Sequence, residues 1–570
     1  MAQLIECVPN FSEGNDLSII KQITTEIESV DGVKVLNVDP GKATNRTVVT
    51  FVGPPQAVVD AAFLAIKKAA ELIDMSKHKG EHPRMGATDV CPLIPISNIT
   101  MEETAAYAKQ LGERVGKELK IPVYLYEAAQ SNKSRNNLSV IRSGEYEGFF
   151  KKIKLPEWAP DYGPVEHSVR SGSTVIGARD FLIAYNINLN TTSVRRANSI
   201  AFDVRETGRV KRDGNPITGK IIKDAAGAPV YIPGTLKSVK AIGWYIQEYG
   251  IAQISMNLTN INVTPVHIAF DEVCKKATER GIRVTGSELI GLIPLKCMLD
   301  AGRYFLNKQQ RSIGVSEREL IKIAVKSLGL DELVPFKPEE RIIEYLLEDS
   351  SVNPLIKMDL KSFADETASE SPAPGGGSIS AYVGSLGISL GTMVANLSAH
   401  KPGWDEHWKE FSKWAEKGQA FKNQLLKMVD EDTNAFNKIM AAFGLPKSTE
   451  EEKAERTKMI QEATRYATEV PFEVMKICYN SMEVIKAMAE SGNPNSITDA
   501  GVGAICASAA IGGAFLNVKI NASGITDNVF ARKLITEGNV IQEKAKVLEA
   551  EILQIVNSKI PIYVDSKTNS

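Results

Sequence analysis

The chain has few residues of several types, and each shortage excludes a class of protein. Histidine occurs only six times among 570 residues, and the six cysteines never stand in a CxxC pair. This spacing argues against structural zinc and a disulfide framework, and it favours a reducing compartment. A surplus of one charge is also missing, because 67 Lys and Arg meet 69 Asp and Glu for a formal charge of −2. The composition therefore provides no overall attraction to nucleic acid or to an anionic membrane.

Long runs of large apolar residues are also absent. Two uncharged stretches, 379–399 and 501–518, are rich in Ala, Gly and Ser and poor in Leu and Phe. A membrane span needs about 20 predominantly apolar residues, usually with aromatic and basic flanks. We therefore expect two buried helices that pack through small residues, and no membrane span. The first residues, MAQLIE, contain neither a basic region nor a long apolar one, so we expect no signal peptide and a cytoplasmic protein.

What remains is the composition of ordinary globular domains, with 43% hydrophobic and 24% charged residues. The first third alternates β-branched runs with helical spacing in the order β-α-β-β-α-β, and this order recurs from about residue 174. From about residue 350 almost every segment has helical spacing. The predicted fold class is α/β plus all-α: two ferredoxin-like α/β sandwich subdomains followed by a helical-bundle domain. We place the subdomains at 1–177 and 178–347, a linker at 348–357 and the bundle at 358–570.

Several finer features follow from the same patterns. The spacing predicts one strand over 178–189 and a long exposed loop over 208–234, which is rich in Gly, Pro and Lys. Ser448 to Glu451 has the pattern of a capping box, and Pro471 should kink a long helix or split it in two. The predicted long helices of the bundle cover 379–399, 406–442, 449–490, 499–518 and 528–556.

Two of the six histidines, His78 and His82, stand four residues apart in the segment KHKGEHPRMG. HxxxH spacing suits a metal only where a helix places both rings on one face, and Gly80 and Pro83 disfavour a helix. We therefore expect no metal here. One interpretation is a glycine-punctuated loop that carries His, Glu and three cations for acid–base work on an anionic substrate. The alternative is an exposed basic turn.

Three further loops contain candidate binding residues, each with a plain structural alternative. The first, between two predicted strands, is either an ordinary hairpin or clamps a carboxylate with an arginine. The second either links the two α/β modules or lines a cleft between them. The third, a Gly-rich turn before a helix, is either a flexible cap or offers free N–H groups to an anion. The candidates are Asp39 and Arg46 in the first loop, Gly163, Pro164, Val165, Glu166, His167, Ser168, Val169, Arg170, Ser171 and Gly172 in the second, and Gly375, Gly376, Gly377 and Ser378 in the third.

Asp432 is the clearest single residue in the predicted bundle. At about 100° per residue, large apolar side chains from Trp414 to Ile439 fall within about 60° of it, whereas Asp430 and Asn434 fall on the opposite side. A carboxylate on a buried stripe costs several kcal/mol unless it is hydrogen-bonded or protonated. We therefore expect a pKa raised toward the range of proton transfer. The alternative is a buried aspartate that caps another element.

Seven segments of the chain together resemble the formimidoyltransferase-cyclodeaminase family from end to end. They are MAQLIECVPNFSEG, NRTVVTFVGPP, LIDMSKHKGEHPRMGATDVCP, FLIAYNINL, PEERIIEYL, SPAPGGGSISA and MVDEDTNAF. The resemblance implies a bifunctional folate enzyme of histidine breakdown, with tetrahydrofolate as co-substrate. It places the transferase histidine on His82, the folate-contacting loop on 163–172 and the cyclodeaminase acid on Asp432. It also implies a ring-like homo-octamer and polyglutamylated folates, whose tail we assign to Gly375–Ser378 as a hypothesis.

The implied reactions need only single proton shuttles and no metal. The transferase moves a formimino group from N-formimino-L-glutamate to tetrahydrofolate, and the cyclodeaminase closes the product to 5,10-methenyltetrahydrofolate with release of ammonia. Other functions stay open: a non-catalytic folate carrier, a scaffold that binds cytoskeletal elements, and a chain with one inactive half. A further alternative makes the C-terminal half a methenyltetrahydrofolate cyclohydrolase.

Overall fold

A computed structural model of the chain describes residues 3–42, 44–80, 83–214, 218–347 and 354–561. Tertiary contacts divide the chain into two compact units. Unit 1 comprises Met1–Met298 and Val325–Leu347, and unit 2 comprises Leu299–Ala324 and Glu348–Ser570. Residues 299–324 thus belong with the helical bundle in this division. The boundaries given above from the sequence stay predictions, and positions 348–353 of the predicted linker lie outside the described residues.

The first module of unit 1 is a seven-stranded sheet with helices against both of its faces. Both β1 and β2 pair with β4 and β5, so they act as one strand interrupted around Pro9, which has no N–H to donate. The sheet order is β3-β4-β1/β2-β5-β7-β6, with β5, β7 and β6 parallel. The elements are β1 (Leu4–Cys7), β2 (Asn10–Phe11), α1 (Leu17–Glu28), β3 (Lys34–Gly41), β4 (Arg46–Gly53), α2 (Pro55–Leu72), β5 (Thr88–Ser97), α3 (Met101–Arg114), β6 (Val123–Glu127), α4 (Leu138–Ile141), α5 (Glu145–Lys152) and β7 (Thr174–Ala178).

The second module is a four-stranded antiparallel sheet in the order β13-β14-β8-β15. Both modules therefore have the predicted ferredoxin-like plan. The prediction of a single strand over 178–189 is wrong, because 174–178 completes the first sheet and 183–189 begins the second. Short two-stranded ladders occur within 208–234. The elements are β8 (Ile183–Leu189), α6 (Val194–Val204), β9 (Arg209–Val210), β10 (Arg212–Asp213), β11 (Lys220–Ile221), β12 (Tyr231–Ile232), β13 (Val239–Ile246), β14 (Ile251–Leu258), α7 (Val266–Thr278) and β15 (Val284–Ile290).

All regular elements after β15 in the described chain are helices, and the long ones build the core of unit 2. The five predicted long helices are confirmed to within four residues at each end. The elements are α8 (Leu295–Lys308), α9 (Glu317–Leu328), α10 (Pro338–Arg341), α11 (Ile343–Leu347), α12 (Leu360–Thr367), α13 (Gly376–Ala399), α14 (Trp408–Phe443), α15 (Glu450–Ser491), α16 (Ile497–Ala522) and α17 (Asn528–Lys559).

Helices α13 and α16 are the two apolar stretches singled out in the sequence. By length and composition, Gly376–Ala399 and Pro494–Ala522 could each cross a membrane, but 61% and 50% of their most apolar windows are buried inside the protein. A Cβ atom at Gly387 would lie 2.8 Å from the Gly503 carbonyl oxygen, so glycine lets the two backbones approach closely. Close packing through small residues, as expected, explains their composition.

Two details of α15 differ from the sequence expectation. The capping box lies one residue later than predicted: Thr449 Oγ1 accepts from the Glu452 N–H, and the Glu452 carboxylate accepts from the Thr449 N–H. The helix also continues unbroken through Pro471, so the expected split does not occur. Proline leaves the Ala467 carbonyl without its helical donor. Asn521 Nδ2 donates to that carbonyl at 2.7 Å and replaces the missing bond.

Candidate active sites

Unit 1 brings together the loop before β4 and the first half of the histidine-containing segment. Asn45 Nδ2 donates to the Lys79 carbonyl at 2.8 Å, and His78 Nε2 lies 2.8 Å from the Asn45 carbonyl oxygen. Arg46, the predicted carboxylate clamp, follows directly in the chain. The hairpin and the histidine-containing segment, which are separate candidates in the sequence, are therefore neighbours in the fold.

The loop over 163–172 packs against both ends of the same segment. The Met75 N–H donates to the Arg170 carbonyl at 2.9 Å, and the Ala87 N–H donates to the Ser171 carbonyl at 2.8 Å. Gly172 has φ +68°, and a Cβ atom there would overlap the Met85 carbonyl oxygen. Glu81 and His82 lie outside the described residues, so the role of His82 stays a prediction.

His78 is held from both ring nitrogens. Arg84 Nε lies 3.3 Å from Nδ1, and the guanidinium of Arg84 also forms two hydrogen bonds to Glu147, at 2.7 and 3.0 Å, and one to Glu145. Arginine only donates, so Nδ1 accepts and the proton of a neutral His78 is assigned to Nε2, facing Asn45. The hydrogen bond to Glu147 raises the pKa of Arg84, which is nearly buried. His78 and Arg84 therefore hold the loop in place.

A buried ionic group lies at the start of β5. Asp89 is fully buried, accepts from Arg142 at 2.6 Å and from the Met85 N–H at 3.0 Å, and also lies near Arg46. Burial lowers the pKa of Arg46 to about 10, and the Asp89 carboxylate opposes this shift. Asp89 and Arg142 were not among the residues predicted from the sequence. A charged residue opening a buried strand was a signal for Asp89, whereas nothing in the sequence marks Arg142.

Asp39 lies near the second module. Burial raises the pKa of its carboxyl, while Arg341 and the Gly291 N–H oppose the rise. Glu288 of β15 also acts on Asp39, and it accepts hydrogen bonds from Asn186 and Tyr249. This polar face of the second sheet was not predicted from the sequence. Its signal was the alternation in AYNINL, which buries Asn186 and Asn188 as polar groups.

The predicted folate loop contains both buried and exposed side chains. His167 is 4% exposed and lies among the rings of Tyr146, Phe149 and Phe150, where burial lowers its pKa to about 4. Val165 and Val169 are exposed, as are the side chains of Glu166 and Arg170. Gly163 and Pro164 line a cavity of about 370 Å³. Only part of the loop is thus free to meet a ligand.

In unit 2 the structure joins two candidates that lie about 50 residues apart in the chain. The Ser378 N–H donates to Asp432 Oδ2 at 2.9 Å, and Ser378 Oγ lies 3.2 Å from the same oxygen. A Cβ atom at Gly377 would overlap Asp432 Oδ1, so the carboxylate rests directly on the start of α13. Burial raises the pKa of Asp432, and the two hydrogen bonds from Ser378 oppose that rise. The Gly-rich turn thus meets an anion that belongs to the protein itself.

The expectation that Asp430 faces away from the core is wrong. Asp430 is 2% exposed and accepts from the Leu355 N–H at 2.9 Å and the Ile356 N–H at 3.4 Å. The short turn Leu355–Lys357 covers it, and Asp430 caps that turn. Among the described residues, no group of three or more His, Cys, Asp or Glu side chains is arranged to hold a metal ion.

These observations define the class of protein. Two ferredoxin-like modules with a buried ionic group and an all-α unit with a half-buried acid form a two-unit protein with a separate polar centre in each unit. Family models match the chain as "Formiminotransferase domain, N-terminal subdomain" over 4–179, "Formiminotransferase domain" over 184–348 and "Formiminotransferase-cyclodeaminase" over 359–539. The chain belongs to the formimidoyltransferase-cyclodeaminase family.

Three relatives illustrate the similarity over the whole chain and over each half. Formimidoyltransferase-cyclodeaminase of Gallus gallus is 43% identical over 98% of this chain and 100% of its own length. Glutamate formimidoyltransferase of Thermoplasma acidophilum is 41% identical over 56% of this chain and 98% of its own length. Methenyltetrahydrofolate cyclohydrolase of Methylorubrum extorquens is 38% identical over 35% of this chain and 97% of its own length.

Proposed function

We propose that the chain is a bifunctional enzyme of histidine degradation that uses tetrahydrofolate as co-substrate. It transfers the formimino group of N-formimino-L-glutamate to tetrahydrofolate, and it then cyclises 5-formiminotetrahydrofolate to 5,10-methenyltetrahydrofolate with release of ammonia. The observation that supports this most is the near-full-length similarity to the Gallus gallus enzyme. The acid held against α13 adds a chemical reason for the second activity.

The transferase step needs one group that takes and returns a proton. When N5 of tetrahydrofolate attacks the formimino carbon, N5 becomes cationic and must lose a proton, while the departing glutamate nitrogen must gain one. His82 is the proposed shuttle, and such a group contributes about 10²–10⁴-fold. Arg46 is the proposed clamp for a substrate carboxylate, and Asp39 is a proposed substrate contact. Their support is that the hairpin carrying them contacts the flank of the His82 segment.

The cyclodeaminase step also needs one group that takes and returns a proton, and Asp432 is the candidate. N10 attacks the formimino carbon and must lose its proton, and the nitrogen that leaves as ammonia must gain one. A carboxyl whose pKa is raised by burial can act in turn as base and as acid. We therefore propose Asp432 as the group that removes the N10 proton and returns it to the leaving nitrogen.

The remaining parts of the proposal concern binding and assembly. Gly163–Gly172 is the proposed folate loop, supported by the exposure of Val165 and Val169 beside the histidine-containing segment. The start of α13, Gly375–Ser378, is the proposed contact for a polyglutamate tail. The proposed assembly is a homo-octamer in the cytoplasm, and no metal takes part.

A coupled assay tests both activities. The protein is incubated with formiminoglutamate and tetrahydrofolate, and methenyl-folate absorbance and ammonia are followed together. His82→Ala should abolish transfer but still cyclise supplied 5-formiminotetrahydrofolate, and Asp432→Asn should do the reverse. His407→Ala and Asp365→Asn, at exposed positions, are the matched controls. A variant that keeps its own activity near wild type would disprove the role given to that residue.

The Methylorubrum extorquens relative supports a second candidate for the helical half, a methenyltetrahydrofolate cyclohydrolase. This activity adds water to the methenyl group and releases no ammonia. If the helical half is a cyclodeaminase, the absorbance of supplied 5,10-methenyltetrahydrofolate should fall no faster with the enzyme than without it. Enzyme-dependent loss of that absorbance, without ammonia from the formimino substrate, would favour the cyclohydrolase.

A further inference from the structure

The hydroxyl of Ser378 has one hydrogen and more than one oxygen within reach. It lies 2.7 Å from the Val429 carbonyl oxygen, 3.2 Å from Asp432 Oδ2 and 3.3 Å from Thr433 Oγ1. The Val429 carbonyl can only accept, so when the hydrogen points there, Ser378 Oγ presents lone pairs to Asp432. A hydrogen bond between Ser378 Oγ and Asp432 then requires the proton of a neutral carboxyl.

The hydroxyl and the protonation state of Asp432 are linked through Oδ2. With a carboxylate, the hydroxyl turns toward Oδ2 and donates. With a neutral carboxyl, a proton on Oδ2 would be donated to Ser378 and withheld from a substrate, whereas a proton on Oδ1 leaves Oδ2 as a carbonyl oxygen that still accepts from the Ser378 hydroxyl. Ser378 is fully buried, so no bulk water offers a replacement partner. An acid that changes state during each turnover therefore keeps a partner in both states.

The other carboxylate oxygen of Asp432, Oδ1, is not hydrogen-bonded to Ser378. Among the described residues, both protein hydrogen bonds of Asp432 go to Oδ2, and Oδ1 lies over Gly377. Glu431, which precedes Asp432 in α14, accepts a hydrogen bond from Tyr466 of α15. Within the described residues, burial and the Ser378 hydrogen bonds are the causes of the shifted pKa of Asp432, and no charged group is among them.

We propose that Ser378 is a positioning residue for the second reaction, which binds Asp432 through Oδ2 in both protonation states and leaves Oδ1 to exchange the proton with the folate. This inference rests on the proposed cyclodeaminase activity. It also gives the Gly-rich turn a specific function, because Gly377 provides the space that Oδ1 occupies.

The test is the Ser378→Ala variant of the full chain, assayed with supplied 5-formiminotetrahydrofolate from pH 5.5 to 9. Loss of the hydroxyl removes a bond that favours the carboxylate, so the pKa of Asp432 should rise. The acidic limb of the pH profile should then move to higher pH by about half a unit or more, and kcat should fall at least tenfold with little change in KM. Ser378→Thr keeps the hydroxyl and should recover part of the activity.

Ser380→Ala is the matched control, since Ser380 is equally buried two residues along α13 and bonds the Gly376 carbonyl instead. Its profile should coincide with wild type. Transferase activity and the thermal midpoint of each variant report whether the chain is folded. If Asp432→Asn is inactive but Ser378→Ala keeps the wild-type kcat and pH profile, the positioning role is disproved while the proposed function stands. If wild type makes no methenyl-folate, the proposed function itself fails.

Discussion

Glu6 is a buried carboxyl for which neither proposed reaction has a use. It is 3% exposed on β1, where it pairs with Val52 and Ile94 on the neighbouring strands. Burial raises its pKa to about 7 from 4.5, and Arg179 opposes the rise. The native state therefore binds an extra proton between these two values, and stability falls as the pH rises through this window. Above about pH 7 the ionised group costs the fold about 3 kcal/mol.

Glu6→Gln should remove this pH dependence. We expect its free energy of unfolding to exceed that of wild type by about 3 kcal/mol at pH 8, and the two values to converge near pH 4.5. Urea unfolding of unit 1, followed at several pH values, measures the difference. The exposed Glu102→Gln is the control. Parallel curves for Glu6→Gln and wild type across the whole range would mean that Glu6 ionises as freely as in water.

At the residue scale, sequence reasoning worked where the controlling property is local. Asp432 emerges from helical periodicity alone, because the angle between residues on one helix is fixed. Asp430 was misplaced because its cover, Leu355–Lys357, lies 75 residues away in the chain. Arg142 reaches Asp89 across 53 residues, and His167 is enclosed by rings from α5. No periodicity can predict these contacts.

At the scale of elements, the long helices were predicted nearly to their ends because each repeats its apolar spacing many times. The boundary between β7 and β8 was missed, since two apolar strands in succession look like one until their partners are known. Pro471 shows the same limit. Proline predicts a broken helix from local chemistry, but the donor that preserves α15 is Asn521 on α16, which only the packing provides.

Asn521→Ala should therefore destabilise the bundle through α15. The Ala467 carbonyl would lose its donor, which costs about 1–3 kcal/mol in a buried place. In a Pro471→Ala background the restored N–H can bond Ala467 itself, so the same Asn521→Ala change should cost about 1 kcal/mol less. Urea unfolding of the four proteins in this cycle measures the coupling. Equal costs in both backgrounds would show that Asn521 does not substitute for the missing helical bond.

At the scale of the whole molecule, the fold class is predicted by two patterns: the repeated β-α-β-β-α-β order and the change to helical spacing near 350. Both patterns extend over many residues and can be recognised without knowledge of tertiary contacts. The membership of 299–324 in unit 2 could not be predicted in this way. It depends on contacts from Gly314, whose carbonyl accepts from Asn396 and Gln419, and from the Ile313 N–H, which donates to Ser412.

Two C-terminal fragments test whether the helical bundle is fully stable from residue 358 onward or needs residues 299–324 as well. A fragment over 358–570 loses the three hydrogen bonds to Ile313 and Gly314, each worth about 1 kcal/mol. It also loses the two hydrogen bonds that Leu355 and Ile356 donate to Asp430. A fragment over 291–570 keeps them and should melt about 5–10 °C higher. Gly314→Ala in the longer fragment should remove part of this advantage, because the new methyl overlaps the Ala415 side chain, whereas the methyl of the control Gly512→Ala meets the Gln542 amide at an ordinary 3.6 Å. Equal midpoints for the two fragments would mean that 299–324 adds no stability to the bundle, and that the sequence-derived boundary is the physical one.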